Sequence, residues 1–253
     1  MPVTLSGGEP RSIHSHDDVE RSGDQPLMVR AVSFDVDDTL IDYSVSIPRS
    51  LRGLFGADAD PDVWLTLMDA LHPLYLDGTL SHTAYLRTRM AAMLATLGRP
   101  VPDDAALDRM EQQRITLAET GLRLYPDVLP CLTTLRAQGM PLALLSNTDG
   151  RLQRRRLRVV GLTGLFDVIA LSGEIGVAKP NPAAFEHVSA SLGLTTADVV
   201  HVGDNPAADA QGALAAGNPM ALLIDRTGRH PTPAGVTRIM DLREVPDLLR
   251  GVR

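Results

Sequence analysis

Five short apolar runs recur along this chain with amphipathic stretches between them. That alternation limits the possible folds more than any other feature. The runs occupy residues 27–34, 141–145, 168–171, 199–202 and 220–224, and several are rich in β-branched residues. Runs this short and this apolar suit strands buried on both faces. Helical spacing marks 128–138, 150–160, 182–192 and 207–216, which separate most of them. Strand alternating with helix implies an α/β fold: a Rossmann-like, mostly parallel sheet with helices on both faces.

One interval breaks the pattern. Between residues 44 and 124 no strand signal appears, and 61–76, 81–97 and 102–120 read as helices. Trp64, Leu67, Met68, Leu71 and Leu74 or Tyr75 fall on one helical face. Asp60 before Pro61, Ser81, and Asp103 after Pro102 are helix-start signals. The expected organisation is a core of 28–43 and 125–253 with an all-helical cap of 44–124 inserted after the first strand. Residues 1–27 lack periodicity and read as a flexible tail, with His14, His16, Asp17 and Asp18 solvated rather than gathered on a metal.

Composition closes off several classes. The chain has 253 residues, 44% hydrophobic and 22% charged, which excludes global disorder. No apolar run reaches the roughly 18 residues of a spanning helix, so no membrane span is expected. The polar N-terminus has no apolar signal core, and the one cysteine, Cys131, closes no intrachain disulfide; both predict a reduced, cytoplasmic protein. A net charge of −7 argues against a nucleic-acid face. Among the 24 Lys and Arg residues, Lys179 is the only lysine.

Polar residues collect where the apolar runs end. Asp35-Val36-Asp37 follows the first, Ser146-Asn147 the second, and Asp204-Asn205-Pro206 with Asp209 the fourth; Lys179 stands before a helix start. In open parallel sheets that edge is where ligands bind. Asp35, Asp37 and Asp204 repel one another unless a cation neutralises them. An all-oxygen set suits Mg²⁺, and Ser146, Asn147 and Lys179 add donors and positive charge for an anion. That combination fits phosphoryl transfer.

These segments, in this order, resemble the haloacid dehalogenase superfamily of phosphatases over about residues 28–245. The resemblance implies that Asp35 is the nucleophile forming an aspartyl-phosphate and that Asp37 is the general acid and base, with a pKa above that of Asp35. It implies Mg²⁺ ligation by Asp35, the backbone carbonyl of Asp37, and Asp204. Ser146, Asn147 and Lys179 become phosphate contacts, with Asp209 and Asn205 supporting them from behind; Asp209 is expected to act through water or to orient Lys179. Ala208 departs from the asparagine that related sequences often carry there. The expected activity is hydrolysis of a small-molecule phosphate ester beneath the cap. Asp37 argues against dehalogenation, and the lack of lysine in 44–124 argues against a Schiff-base carbon–phosphorus hydrolase. A phosphomutase or phosphotransferase acting on a sugar phosphate stays open, as does a non-catalytic binding protein. His82 or Arg87 is a candidate substrate contact. Arg154, Arg155, Arg156 and Arg158 read as a solvated helix face, His201 as a satisfied core or edge histidine, and Cys131 as inert packing.

Overall fold

A computed structural model describes residues 28–76, 78–148, 150–228 and 231–250. The expected tail, with His14, His16, Asp17 and Asp18, lies outside the described residues. In chain order the elements are β1 (Ala31–Phe34), β2 (Ile41–Asp42), α1 (Ser46–Phe55), α2 (Pro61–Leu76), α3 (His82–Thr96), α4 (Asp104–Glu119), β3 (Arg123–Leu124), α5 (Val128–Ala137) and β4 (Leu142–Ser146). They continue with α6 (Gly150–Val159), β5 (Val168–Leu171), α7 (Ser172–Ile175), α8 (Pro182–Ser191), β6 (Val199–Gly203), α9 (Gly212–Ala215), β7 (Ala221–Ile224), β8 (Thr237–Ile239) and α10 (Val245–Arg250).

All five expected strands form, and they lie parallel in the order β5-β4-β1-β6-β7, with β8 added at the edge. Side chains alternate across the sheet. Phe34, Leu142, Leu144, Val200, Val202 and Leu222 pack on one face with Val128, Leu132 and Leu135 of α5. Ala143, Leu145, Ala170, Ala221 and Leu223 face the other way, against Ala184, Phe185 and Val188 of α8. Each fully buried Leu, Val or Phe contributes roughly 1.5–3 kcal/mol of transfer free energy. β1 sits between β4 and β6, so the ends of these three strands are neighbours. β8 escaped the sequence reading because Thr237-Arg238-Ile239 buries only Ile239 fully.

The interval after β1 holds four helices rather than the expected three. α1 was unreadable because its opening Ser-Ile-Pro resembles a loop, yet Ser46, Ile47, Ser50, Leu51 and Phe55 form its buried face. Two predicted helix starts carry the expected caps: Ser81 accepts from Ala84 N–H at 3.2 Å and Asp103 from Ala106 N–H at 2.8 Å. Asp60 Oδ1 accepts from Asp62 N–H at 2.9 Å just ahead of α2. The apolar stripe on α2 is only partly core: Trp64 is buried while Leu74 is exposed. The Trp64 ring lies 4.4 Å from the Arg89 guanidinium and 5.0 Å from that of Arg114, and both arginines pair with Glu111. A strand does occur inside 44–124: β3 pairs antiparallel with β2, matching Ile41 to Leu124 and Asp42 to Arg123. This two-residue ladder joins the chain entering the helices to the chain leaving them.

The expected helix over 207–216 starts instead as a π-type turn, Pro206–Gln211, and only then becomes α9. Asn205 caps it, its Oδ1 accepting from Ala207 N–H at 3.0 Å and Ala208 N–H at 2.8 Å. The wider winding turns Asp209 inward, where it is buried. Among the described residues no helix is long and apolar enough to cross a membrane.

Candidate active site

The sheet brings the acids together. Asp35 follows β1 directly and is held to β6 by its N–H, which donates to the Val202 carbonyl at 2.8 Å. Asp38 then takes φ of 58°, a left-handed turn that aspartate tolerates better than most residues, and the chain folds back to β2. Asp204 leaves the end of β6. Thr39 Oγ1 donates to Asp204 Oδ1 at 3.4 Å, tying the two strand ends.

Lys179 is 2% exposed and reaches this edge from the loop before α8. Its Nζ donates to Asp35 Oδ1 at 2.6 Å and to Asp209 Oδ1 at 2.5 Å. Asp209 Oδ1 also meets His201 Nε2 at 3.1 Å, and its Oδ2 accepts from Asn205 N–H at 2.9 Å. His201 Nδ1 lies 2.7 Å from Ser33 Oγ. Burial lowers the His201 pKa, which favours a neutral ring with Nε2 donating to Asp209 and Nδ1 accepting from Ser33. Gly203 makes this packing possible, because a Cβ there would run into the Asp209 carboxyl.

One carboxylate oxygen each from Asp35, Asp204 and Asp209 lies within 4.8 Å of the others. Burial lifts the Asp35 carboxyl to about 7 against the pull of Lys179, and the charges of Asp209 and Asp37 add to the rise. Burial and Asp35 hold Asp204 well above its ordinary value. Lys179 and His201 together outweigh burial at Asp209, which is depressed. Two buried acids and the half-buried Asp204 thus gather around a single buried lysine. Hard oxygen donors with surplus negative charge fit a divalent cation such as Mg²⁺. A dication beside Asp35 would favour its ionised form.

Asp37 turns away from the three acids. Its Oδ1 accepts from Tyr43 OH at 2.7 Å and Gln153 Nε2 at 3.0 Å; its Oδ2 lies 3.3 Å from Thr148 Oγ1 and 3.9 Å from Arg156 Nη1. Its carboxylate is therefore separate from the cluster, which leaves the carbonyl as the part of Asp37 the resemblance assigns to the cation. Ser146 Oγ bonds Thr148 Oγ1 at 3.0 Å at the end of β4. Asn147, expected as a phosphate donor, pairs its side chain with the Lys179 backbone: Nδ2 donates one hydrogen to its carbonyl at 2.7 Å and Oδ1 accepts from its N–H at 2.8 Å. The amide suits this because it offers a donor and an acceptor side by side. Asn205 supports the cluster from behind, through its backbone N–H to Asp209.

Other expectations shift. Arg156 does not belong to a solvated face: its side chain is 12% exposed and its guanidinium lies 5.5 Å from the Tyr43 ring centre. Arg154 and Arg155 are half-exposed and pair with Glu174 and Glu119. Arg87 is bound to Asp104 and Asp108 on α4, and His82 packs near Tyr75. Cys131 is buried, which pushes its thiol up to about 12 and leaves it inert. Tyr43, Gln153, Thr148 and Arg156 were missed. The i, i+3 spacing of Gln153 and Arg156 on α6 was the one available signal.

An open parallel sheet with acids and a lysine at the carboxyl ends of its central strands defines an α/β enzyme class that handles anions with a cation. Comparison with known proteins narrows this. The profile of the haloacid dehalogenase-like hydrolase family matches residues 29–217, and the chain belongs to that family. It is 39% identical over 124 residues to a phosphoserine phosphatase of Thermus thermophilus, covering 48% of this chain and 49% of that protein. The match therefore spans about half the length of that relative. It is 30% identical over 205 residues to a glyceraldehyde 3-phosphate phosphatase of Methanopyrus kandleri, covering 80% of this chain and 86% of that one. Among solved structures, a HAD-hydrolase of Bacillus subtilis bound to magnesium superposes with a TM-score of 0.77 at 25% identity, over 88% of this chain and 99% of the other.

Proposed function

We propose that this protein is a Mg²⁺-dependent phosphomonoester hydrolase of a small phosphorylated metabolite, working through an aspartyl-phosphate on Asp35. The reading is carried by one observation: a buried lysine shared between Asp35 and Asp209, with Asp204 completing a compact acidic set. Its phosphatase relatives support the same chemistry.

Asp35, the Asp37 carbonyl and Asp204 are the residues that would hold Mg²⁺. When bound, the cation neutralises the acids and stabilises charge on the phosphoryl oxygens. Asp35 attacks phosphorus, and the bond from phosphorus to the leaving oxygen breaks. Asp37, oriented by Tyr43 and Gln153, gives its proton to that oxygen. It then takes a proton from the water that attacks phosphorus and frees Asp35. Lys179 keeps Asp35 aimed and offsets charge on the transferring group, while Ser146 offers a hydroxyl to it. Asp209, held by His201 and Asn205, fixes Lys179, and Asn147 fixes its backbone. The four helices α1–α4 act as a cap that excludes water from the intermediate and reads the leaving group.

The test is phosphate release from para-nitrophenyl phosphate. Turnover should appear with Mg²⁺ and vanish with chelator, and Asp35→Asn should lose several orders of magnitude while keeping its circular dichroism spectrum. Asp35→Asn with most of its turnover intact would remove the nucleophile assignment.

A further inference from the structure

We propose that the substrate carries a second oxyanion, a carboxylate or another phosphate, on its leaving-group side, and that Arg156 binds it. The inference rests on the phosphatase reading and narrows it to a substrate class.

Position comes first. Arg156 Nη1 lies 3.9 Å from Asp37 Oδ2, and Asp37 is the group assigned to the leaving oxygen. Whatever is attached to that oxygen lies next to this guanidinium. Gln153, one turn earlier on α6, ties the two together: its Nε2 donates to Asp37 and its Oε1 accepts from Arg156 Nη1 at 3.3 Å.

Donor capacity comes second. A guanidinium has five N–H groups in a planar fork. Among the described residues, Arg156 has one hydrogen bond, the 3.3 Å contact to Gln153, and its pairing with Asp37 is long. Its neighbours on the same helix are spent differently. Arg154 grips Glu174 with two bonds of 2.7 Å, and Arg155 meets Glu119 at 2.5 Å. Arg156 alone of the three is mostly shielded from solvent yet keeps unspent donors beside the acid.

Charge balance is the third support. The helical insertion buries Arg89 and Arg114 against a single carboxylate, Glu111, at 3.0 and 2.6 Å. Glu111 and Arg156 attract one another. Arg156 is drawn to Asp37 and Glu119 as well. Among the described residues its one ion pair within 4 Å is the 3.9 Å contact to Asp37, so the shielded guanidinium has room for a closer anion. A planar fork suits a carboxylate or phosphate, which it can bind through two parallel bonds.

The experiment uses the Mg²⁺-loaded protein and substrate pairs that differ in one charge. Phosphoglycolate is compared with its uncharged amide, and propanediol bisphosphate with propanediol monophosphate; para-nitrophenyl phosphate reports basal turnover. Charge-assisted hydrogen bonds of this kind predict a preference of about tenfold or more in kcat/KM for the anionic member of at least one pair. Which pair shows it separates the carboxylate from the phosphate. Arg156→Gln should collapse that ratio, mainly through KM of the anionic member, and Arg156→Lys should restore part of it. Two results overturn the proposal. One is hydrolysis of the nitrophenyl ester with no preference in either pair. The other is an Arg156→Gln variant that slows both members equally, which would leave Arg156 a positioning residue for Asp37. If Arg156→Gln fails to fold, the wild-type ratios and the lysine variant decide. No turnover of any ester with Mg²⁺ overturns the phosphatase reading, and this proposal with it.

Discussion

Replacing Lys179 by methionine removes one charge and leaves two buried carboxylates facing each other. In the structure Nζ is 2.6 Å from Asp35 and 2.5 Å from Asp209. With an effective dielectric of about 20, each contact is worth about 6 kcal/mol of gross attraction. Desolvation of three buried ions offsets much of that, and breaking a buried pair typically costs about 3–5 kcal/mol net. For a protein of this size the unfolding midpoint, followed by scanning fluorimetry in chelator near neutral pH, should fall by on the order of 10 °C. The pH dependence has a definite sign. Without Lys179 the folded Asp35 and Asp209 carboxyls titrate above their unfolded value, so the penalty grows as pH rises and shrinks on acidification. Mg²⁺ should raise the midpoint more in Lys179→Met than in the wild type, because more negative charge awaits it. Turnover of para-nitrophenyl phosphate should drop on the order of a hundred- to a thousand-fold. A midpoint within about 2 °C of wild type, a loss of less than ~1 kcal/mol, would refute the electrostatic reasoning.

Further outcomes follow from the same site. Burial lifts Asp35 to about 7 from 3.8 and raises Asp204 as well, so in chelator the folded state binds the extra protons. Metal-free stability is then greatest below about pH 4 for these groups and is lost as pH rises through about 7. The depressed Asp209 loses its contribution only as pH falls below its unfolded value. Melting scans in chelator should show the midpoint falling from about pH 5 to 8 and Mg²⁺ flattening the slope; a midpoint that climbs steadily in chelator contradicts the acidic cluster. Gly203→Ala should displace Asp209, cost about 1–3 kcal/mol in urea unfolding and impair turnover. A silent alanine would mean Asp209 needs no such close approach. Tyr43→Phe deletes a 2.7 Å bond to Asp37. It should slow transfer of the phosphoryl group from alkyl phosphates to Asp35 by about tenfold, the worth of one such bond, and the same step with the nitrophenyl ester, read from the pre-steady-state burst, far less, since nitrophenolate leaves without a proton. Equal slowing of that first step for both esters would detach Tyr43 from protonation of the leaving oxygen.

The parts of the site that sequence could reveal are those whose chemistry is fixed by chain position. Asp35, Ser146 and Asp204 follow apolar runs, so once parallel strands are inferred they must share an edge. Lys179 stood out because no other lysine competes with it. What stayed hidden depends on rotation about a helix or on contacts distant in sequence. In the run Arg154-Arg155-Arg156, spacing alone does not say which guanidinium turns toward Asp37; Gln153 and the Tyr43 ring decide it. Tyr43 lies beyond the turn at Asp38, whose left-handed φ returns the chain toward Asp37. Asn147 kept its place at the strand end, but its amide found the Lys179 backbone, a partner 32 residues away. The same limit applied to the fold: α1 and β8 are stabilised by packing more than by local pattern, while the expected strands had continuous apolar runs.

Trapping the covalent intermediate tests the central claim most directly. In Asp37→Asn nitrophenolate still leaves as the phosphoryl group passes to Asp35, but water activation is lost, so phosphorylated Asp35 should accumulate. Acid quench followed by borohydride, which reduces an acyl-phosphate to an alcohol, should convert the Asp35 side chain to that of homoserine in the peptide mass spectrum. Substrate consumed with Asp35 unmodified, or with the phosphoryl group found on another side chain, would contradict the account.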